Sequence, residues 1–214
     1  MSEKYSESNY ENAVLEIFRS SLGYNYIYGP DFERDYHKPF HETALRDALL
    51  CINAHMPRQA VTEALSKLEN LESGSLLQKN MVFMDYLQNG IPVKFFENGT
   101  ERSSIVRLLD YNDPSKNNFI VANQWTFIEH SEKRPDIILF INGLPLVVIE
   151  LKSPSREETD ASAAYRQLRN YFHEIPTLFA YNAKMCIRDR VTRTNRRGHS
   201  EADENLCRFY RRFP

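Results

Sequence analysis

The chain has 214 residues, 42% of them hydrophobic and 26% charged. That is enough to bury a core and long enough for one domain, with or without an appendage. The formal net charge of −2 is unevenly spread: residues 184–214 carry +5 and the remainder −7, so a body that meets nucleic acid must use a local groove or basic partners rather than a basic overall field. No apolar run approaches the roughly 18 residues that span a bilayer, and the first residues lack an apolar signal core, so no membrane association and a cytoplasmic location are expected. Cys51, Cys186 and Cys207 are odd in number and have no CxxC spacing, which argues against a disulfide framework or a zinc site. Cys51 reads as a buried thiol.

Taken in chain order, the segment from about Asn9 to Leu22 places Ala13, Val14, Ile17, Phe18 and Leu22 at helical spacing, with Gly23 as a stop signal. Two further helical patterns run from His41 to Ala54 and from Pro57 to Leu71, the second opened by a proline suited to a first turn. They predict a helical hairpin. A fourth helix is expected from Leu76 to Gln88, ended by Asn89-Gly90, and Ile91 to Phe96 and Ile105 to Leu109 read as strands around the Asn98-Gly99 turn. The second half changes texture. Phe119 to Ile128, Asp136 to Ile141, Pro145 to Lys152 and Thr177 to Tyr181 are rich in Ile, Val, Phe and Leu and read as strands. A helix from Thr159 to His173 falls before the last of them, giving helices and then β-β-β-α-β. Residues 184–214 have no convincing apolar period and form an atypical Arg-rich tail, disordered or translated out of frame. The string Cys186-Ile187-Arg188-Asp189-Arg190 resembles translated adapter sequence, and no functional weight is placed on the tail's arginines.

The chemistry is concentrated between Arg134 and Lys152. Asp136, Glu150 and Lys152 stand in segments so apolar that they read as strands buried on both faces, where ionisable groups are costly without a function. Glu150 and Lys152 are two residues apart and point to one face of a strand. Two converging carboxylates can hold a hard divalent cation such as Mg²⁺, and the lysine can orient water or offset charge on a phosphate. This points to phosphodiester hydrolysis. One geometric condition must be met. With a strict two-residue turn at Asn142-Gly143, Asp136 would oppose Ile149 and the two acids would face opposite sides of the sheet. A three-residue loop or an added bulge near Asn142, Gly143 and Leu144 is therefore predicted, so that Asp136 opposes Glu150, with Pro145 tolerating the irregular ladder.

Pro135-Asp136 and Glu150-x-Lys152 resemble the PD-(D/E)xK nuclease signature, and Gln167-x-x-x-Tyr171 on the next helix resembles the additional motif of type I restriction enzyme R subunits. The likeness extends through Asp110, Asn112-Asp113-Pro114, Asn117-Asn118-Phe119 and Asn123-Gln124, to about Asn182. It implies an α/β (mixed α+β) fold with a restriction-endonuclease-like core. A central mixed β-sheet would be flanked by helices in the order α-β-β-β-α-β, with an N-terminal helical region, over residues 1–183. It implies Asp136 and Glu150 as Mg²⁺ ligands, Lys152 as catalytic, Gln167 and Tyr171 in support, and Glu11 as the acidic residue of the first helix. It also implies double-stranded DNA as substrate and the methylation and specificity subunits as partners. ATP would serve a translocase motor in the full-length subunit; this chain has no GxxxxGK[ST] phosphate loop and is not expected to bind ATP itself. The alternatives are a non-cleaving DNA-binding or subunit-docking module with a nuclease fold, and a stand-alone nuclease. For the acids and lysine alone, the bland reading is a structural ion-pair cluster.

Overall fold

A computed structural model describes residues 7–71, 74–151 and 161–188. Helix α1 (Glu7–Glu16) continues through a π-helical turn at Ile17–Ser21 and stops at Gly23, whose φ of +72° suits a residue without a side chain. Three helices follow at the places their apolar spacing indicates: α2 (Glu42–Ile52), α3 (Arg58–Glu69) and α4 (Leu76–Asn89). His41 caps α2 by accepting from the Ala44 amide at 3.2 Å, and Ser75 and Gln78 close a reciprocal capping box on α4. The hairpin of β2 (Ile91–Glu97) and β3 (Thr100–Val106) forms a separate two-stranded sheet. The second of these strands lies earlier than the expected Ile105 to Leu109, because Asn98 and Gly99, at φ +51° and +78°, make a tight turn that pairs Glu97 with Thr100.

The central sheet has five strands in the order β1-β4-β7-β8-β9: β1 (Asn25–Tyr28), β4 (Phe119–Asn123), β7 (Ile137–Ile141), β8 (Leu144–Leu151) and β9 (Lys184–Arg188). The outer pairings are parallel and the inner two antiparallel, so the sheet is mixed. The pair β5 (Phe127–Ile128) and β6 (Glu132–Lys133) stands apart. Helix α1 covers one face, with Leu15, Val14 and Phe18 against Val121, Ile137, Leu139, Ile149 and Leu151. On the other face α5 (Ala161–Glu174) and α6 (Pro176–Ala180) lay Tyr171, Leu178 and Phe179 over Ile120, Ile138 and Val148. The mixed α/β architecture and the order α-β-β-β-α-β are therefore present as α1, β4, β7, β8, α5 and β9.

Three further readings change. Thr177 to Tyr181 is helix α6 rather than a strand: Pro176 sits at the helix start, where its fixed φ and missing N–H suit the first turn. A short apolar run does not by itself distinguish a buried helical turn from a strand. The last strand comes instead at Lys184–Arg188, beyond the boundary expected after Ala183; residues 189–214 lie outside the described ones. Cys51 is exposed near the end of α2 rather than buried.

The turn between β7 and β8 decides the geometry of everything downstream. Asn142 and Gly143, at φ +53° and +76°, form a two-residue turn that pairs Ile141 with Leu144. Asn142 is fully buried: its Nδ2 donates to Leu108 O at 2.9 Å and to Asn117 Oδ1 at 2.8 Å, and its Oδ1 accepts from the Asn118 amide at 2.7 Å. A Cβ at Gly143 would lie 2.5 Å from His41 O, so α2 seats directly against the turn. The register then shifts: Phe140 pairs with Pro145, but Leu139 pairs with Val147, leaving Leu146 as an extra residue. The bulge frees carbonyls, and the chain leading into β9 takes them: Asn182 Nδ2 donates to Leu146 O at 3.1 Å and to Pro145 O at 3.3 Å, and Ala183 N–H to Leu146 O at 2.9 Å. Removing a buried donor of this kind costs about 1–3 kcal/mol. Asn182→Ala is expected to lower the unfolding free energy by about that amount in a urea titration; an unchanged midpoint would show that the bulge does not rely on it.

Candidate active site

The bulge brings Ile137 opposite Ile149, and continuing this register places Asp136 opposite Glu150. Alternation puts Glu150 with Val148, on the face covered by α5 and α6, and Asp136, the residue before β7, lies close enough to Tyr171 of that face for its charge to act on the phenol. The required reconciliation of the two acids is thus met by a two-residue turn plus a bulge at Leu146. Asp136 Oδ2 accepts from the Leu151 amide at 2.7 Å, which ties the end of one strand to the next.

Glu150 is 1% exposed, a burial that a carboxylate tolerates only when its oxygens are hydrogen-bonded. Helix α5 supplies two donors one turn apart: Gln167 Nε2 donates to Glu150 Oε1, and Tyr171 Oη donates to Oε2 at 3.4 Å. Gln167 Nε2 also donates to Tyr171 Oη at 2.9 Å, so the two side chains brace each other. Burial first, and then the charge of Glu150, with Asp136 contributing further, pushes the Tyr171 phenol well above its ordinary value of 10.0. Tyr171 therefore stands within electrostatic reach of both acids and stays a neutral donor.

Glu11 projects from α1. Asn123 Nδ2 donates to its Oε1 at 2.6 Å, and Gln124 Nε2 lies 3.5 Å from each of its oxygens. The Gln124 amide in turn donates to Asp136 O at 3.3 Å. Glu11 thus sits at the Asp136 end of the sheet. Lys152 lies outside the described residues. Sequence reasoning assigned no role to Asn123 or Gln124, although both belong to the stretch that carries the resemblance. The signal that could have singled them out is a pair of amides ending an apolar strand.

The donor chemistry suits a hard cation: two carboxylates on neighbouring strand positions offer oxygens only. Among the described residues no three His, Cys, Asp or Glu side chains converge closely enough to hold a metal ion. A cation held by Asp136 and Glu150 would complete its shell with water and substrate oxygens, as Mg²⁺ commonly does. Among the described residues no helix is long and apolar enough to cross a membrane.

The fold is a central mixed sheet flanked by helices, of the restriction-endonuclease-like kind, with two acids at adjacent strand ends backed by an amide and a phenol. The family model for the N terminus of type I restriction enzyme R proteins matches residues 4–197, and the chain belongs to that family. It is 33% identical over 202 residues to the HindI endonuclease subunit of a type I restriction enzyme from Haemophilus influenzae, covering 87% of this chain and 18% of that protein. A Methanocaldococcus jannaschii protein, provisionally named the MjaIXP endonuclease subunit of a type I restriction enzyme, is 29% identical over 192 residues, covering 84% and 18%. The chain thus spans about a fifth of the length of these relatives.

The raised phenol has a consequence for alkaline stability. With the folded pKa above the unfolded one, the contribution of Tyr171 is fully present below pH 10 and is lost as pH rises, because only the unfolded state then ionises. Between pH 8 and pH 11 the urea midpoint of the wild type should fall more than that of Tyr171→Phe. Parallel curves would show that the phenol is not held neutral by this site.

Proposed function

We propose that this domain is the Mg²⁺-dependent endonuclease part of a cytoplasmic type I restriction-modification R subunit, hydrolysing phosphodiester bonds of double-stranded DNA. The observation that carries the reading is the shifted register that brings Asp136, just before β7, level with Glu150, with Glu150 buried and held by Gln167 and Tyr171. A site meant only to stabilise the fold would gain more from apolar residues at these positions. The family relationship and the names of the relatives support the same conclusion.

Asp136 and Glu150 would hold the cation. Bound there, a divalent ion supplies positive charge to the scissile phosphate and makes a water more acidic. The chain's own contribution is orientation: the Leu151 amide fixes one carboxylate, and Gln167 and Tyr171 fix the other. Lys152, assigned from sequence, would offset charge on the phosphate or orient the attacking water. In the overall reaction a water oxygen bonds to phosphorus, the bond to one ester oxygen breaks, and that oxygen leaves with a proton.

The partners on this reading are the methylation and specificity subunits, with ATP consumed by a motor elsewhere in the full-length subunit. The test is cleavage of double-stranded DNA by the full-length subunit assembled with its partners. Asp136→Ala, Glu150→Ala and Lys152→Ala should each lose several kcal/mol of transition-state stabilisation, about a thousandfold in rate, while DNA binding and ATP hydrolysis persist. Cleavage at the wild-type rate in either acid variant would remove the assignment. Absence of cleavage in the wild-type assembly, with DNA still bound, would favour a non-cleaving docking module.

A further inference from the structure

A groove of about 680 Å³ opens between the end of α3, the turn that precedes α3 and the β2–β3 hairpin. Lys67, Lys94 and Arg107 line it together with His55, Ser103 and Ser104, and among the described residues no carboxylate does. That reverses the balance of the domain, where residues 1–183 carry −7. Arg107 leads into Leu108, whose carbonyl accepts from Asn142 of the β7–β8 turn at 2.9 Å, so the groove lies toward the turn end of the sheet. The acids stand at the other end of β8, roughly 20 Å away at the rise of a strand.

The cations are held in place. Asn53, 1% exposed, clamps the Arg107 backbone, accepting from its N–H at 2.9 Å and donating to its carbonyl at 3.0 Å. Lys67 Nζ donates to Pro92 O at 2.7 Å, which uses one of its three donors. Lys94 stands directly across the hairpin from Ser103, so ammonium and hydroxyl share one face. Glu63 and Glu101 lie 3.7 and 3.4 Å from Lys67 and Lys94, but both pairs are exposed, and exposed pairs hold their cations weakly.

We propose that this groove takes the sugar-phosphate backbone of double-stranded DNA, as a sequence-independent contact that lays the duplex along the sheet toward the acids. The proposal rests on the reading of duplex DNA as the substrate. Three cations, two serine hydroxyls and an imidazole offer hydrogen-bond donors to a ligand that presents acceptors, and this is the set that phosphate oxygens engage. Pro92, Val93 and Ile105 supply apolar surface between the donors, which matches the sugar faces that separate successive phosphates. A separation of roughly 20 Å is over half a turn of B-DNA, whose turn is about 34 Å, so one duplex can reach groove and acids together. Bare carboxylates repel the backbone, whereas the groove attracts it with or without a metal.

The test is the fluorescence anisotropy of labelled duplexes of two unrelated sequences, titrated with the 214-residue chain in EDTA over a range of salt concentrations. Lys94→Gln should reduce the slope of log affinity against log salt by about 0.9, the value of one phosphate contact. The triple variant Lys67→Gln, Lys94→Gln, Arg107→Gln should reduce it by about 2 to 3 and weaken binding to both sequences about tenfold or more. Arg102→Gln removes the same charge from the other face of the hairpin, where residue 102 pairs with Phe95, and should leave the slope in place. Lys94→Gln, at a side chain 68% exposed, keeps the fold even if the triple variant does not. No duplex binding by the wild type, a wild-type slope in Lys94→Gln and the triple variant, or an equal loss in Arg102→Gln would overturn the proposal. So would a triple variant that loses poly-glutamate but keeps the duplex, which would make the groove a seat for an acidic protein segment. EDTA removes metal and cleavage from the measurement. A slope that depends on the groove, with no cleavage by the wild-type assembly, would therefore strike the nuclease reading and leave this one standing.

Discussion

A single inserted residue sets which side chains face each other across this sheet. Side chains on a strand alternate between faces, so one extra residue in β8 reverses the facing of everything beyond it relative to β7. The bulge at Leu146 comes between the buried turn at Asn142-Gly143 and the acids, and it shifts the ladder by one, so that Ile137 pairs with Ile149 and Asp136, one residue before the strand, comes level with Glu150. The apolar surroundings agree with the shifted register. Ile149 and Leu151 pack with Leu15 on the α1 face, and Val148 packs under α5 and α6. Sliding the strand back by one would bury Glu150 under α1 and turn Ile149 toward Gln167 and Tyr171.

The bulge is anchored from two directions. Upstream, the Asn142 side chain is bonded to Leu108, Asn117 and Asn118, so the turn cannot migrate along the hairpin without leaving buried polar groups unpaired. Downstream, Asn182 and Ala183 satisfy the carbonyls that the irregular ladder releases. The segment that completes the sheet as β9 therefore also holds the irregularity on which the site depends, which couples the order of the last strand to the placement of the first acid.

Much of this was legible before any coordinates. The helices α2, α3 and α4 follow from strong periodic patterns, with Pro57 and Asn89-Gly90 marking their ends, and the strands β7 and β8 from apolar runs around a recognisable turn. The need for an irregularity followed from counting residues between Asp136 and Glu150; its place did not, because turn and bulge satisfy the same count. Tertiary context decided the remainder. Strand β1 has mostly exposed residues and no alternating apolar signal, and it forms because β4 offers an open edge. The run Leu178-Phe179-Ala180 is equally compatible with strand and helix until Pro176 is seated at a first turn. For Glu11 the sequence supplied only a resemblance, since its hydrogen bonds go to Asn123 and Gln124, over a hundred residues away, and no local pattern announces them.

The central claim is that Asp136 and Glu150 share one cation. The most direct measurement is the anomalous scattering of Mn²⁺ in a crystal of this chain grown or soaked with the metal. The account predicts a peak bridged by the two carboxylates at roughly 2.1 Å from an oxygen of each, with Gln167 and Tyr171 still bonded to Glu150. A structure with manganese bound elsewhere and none between these acids, or with the two side chains on opposite faces of β7 and β8, would contradict it.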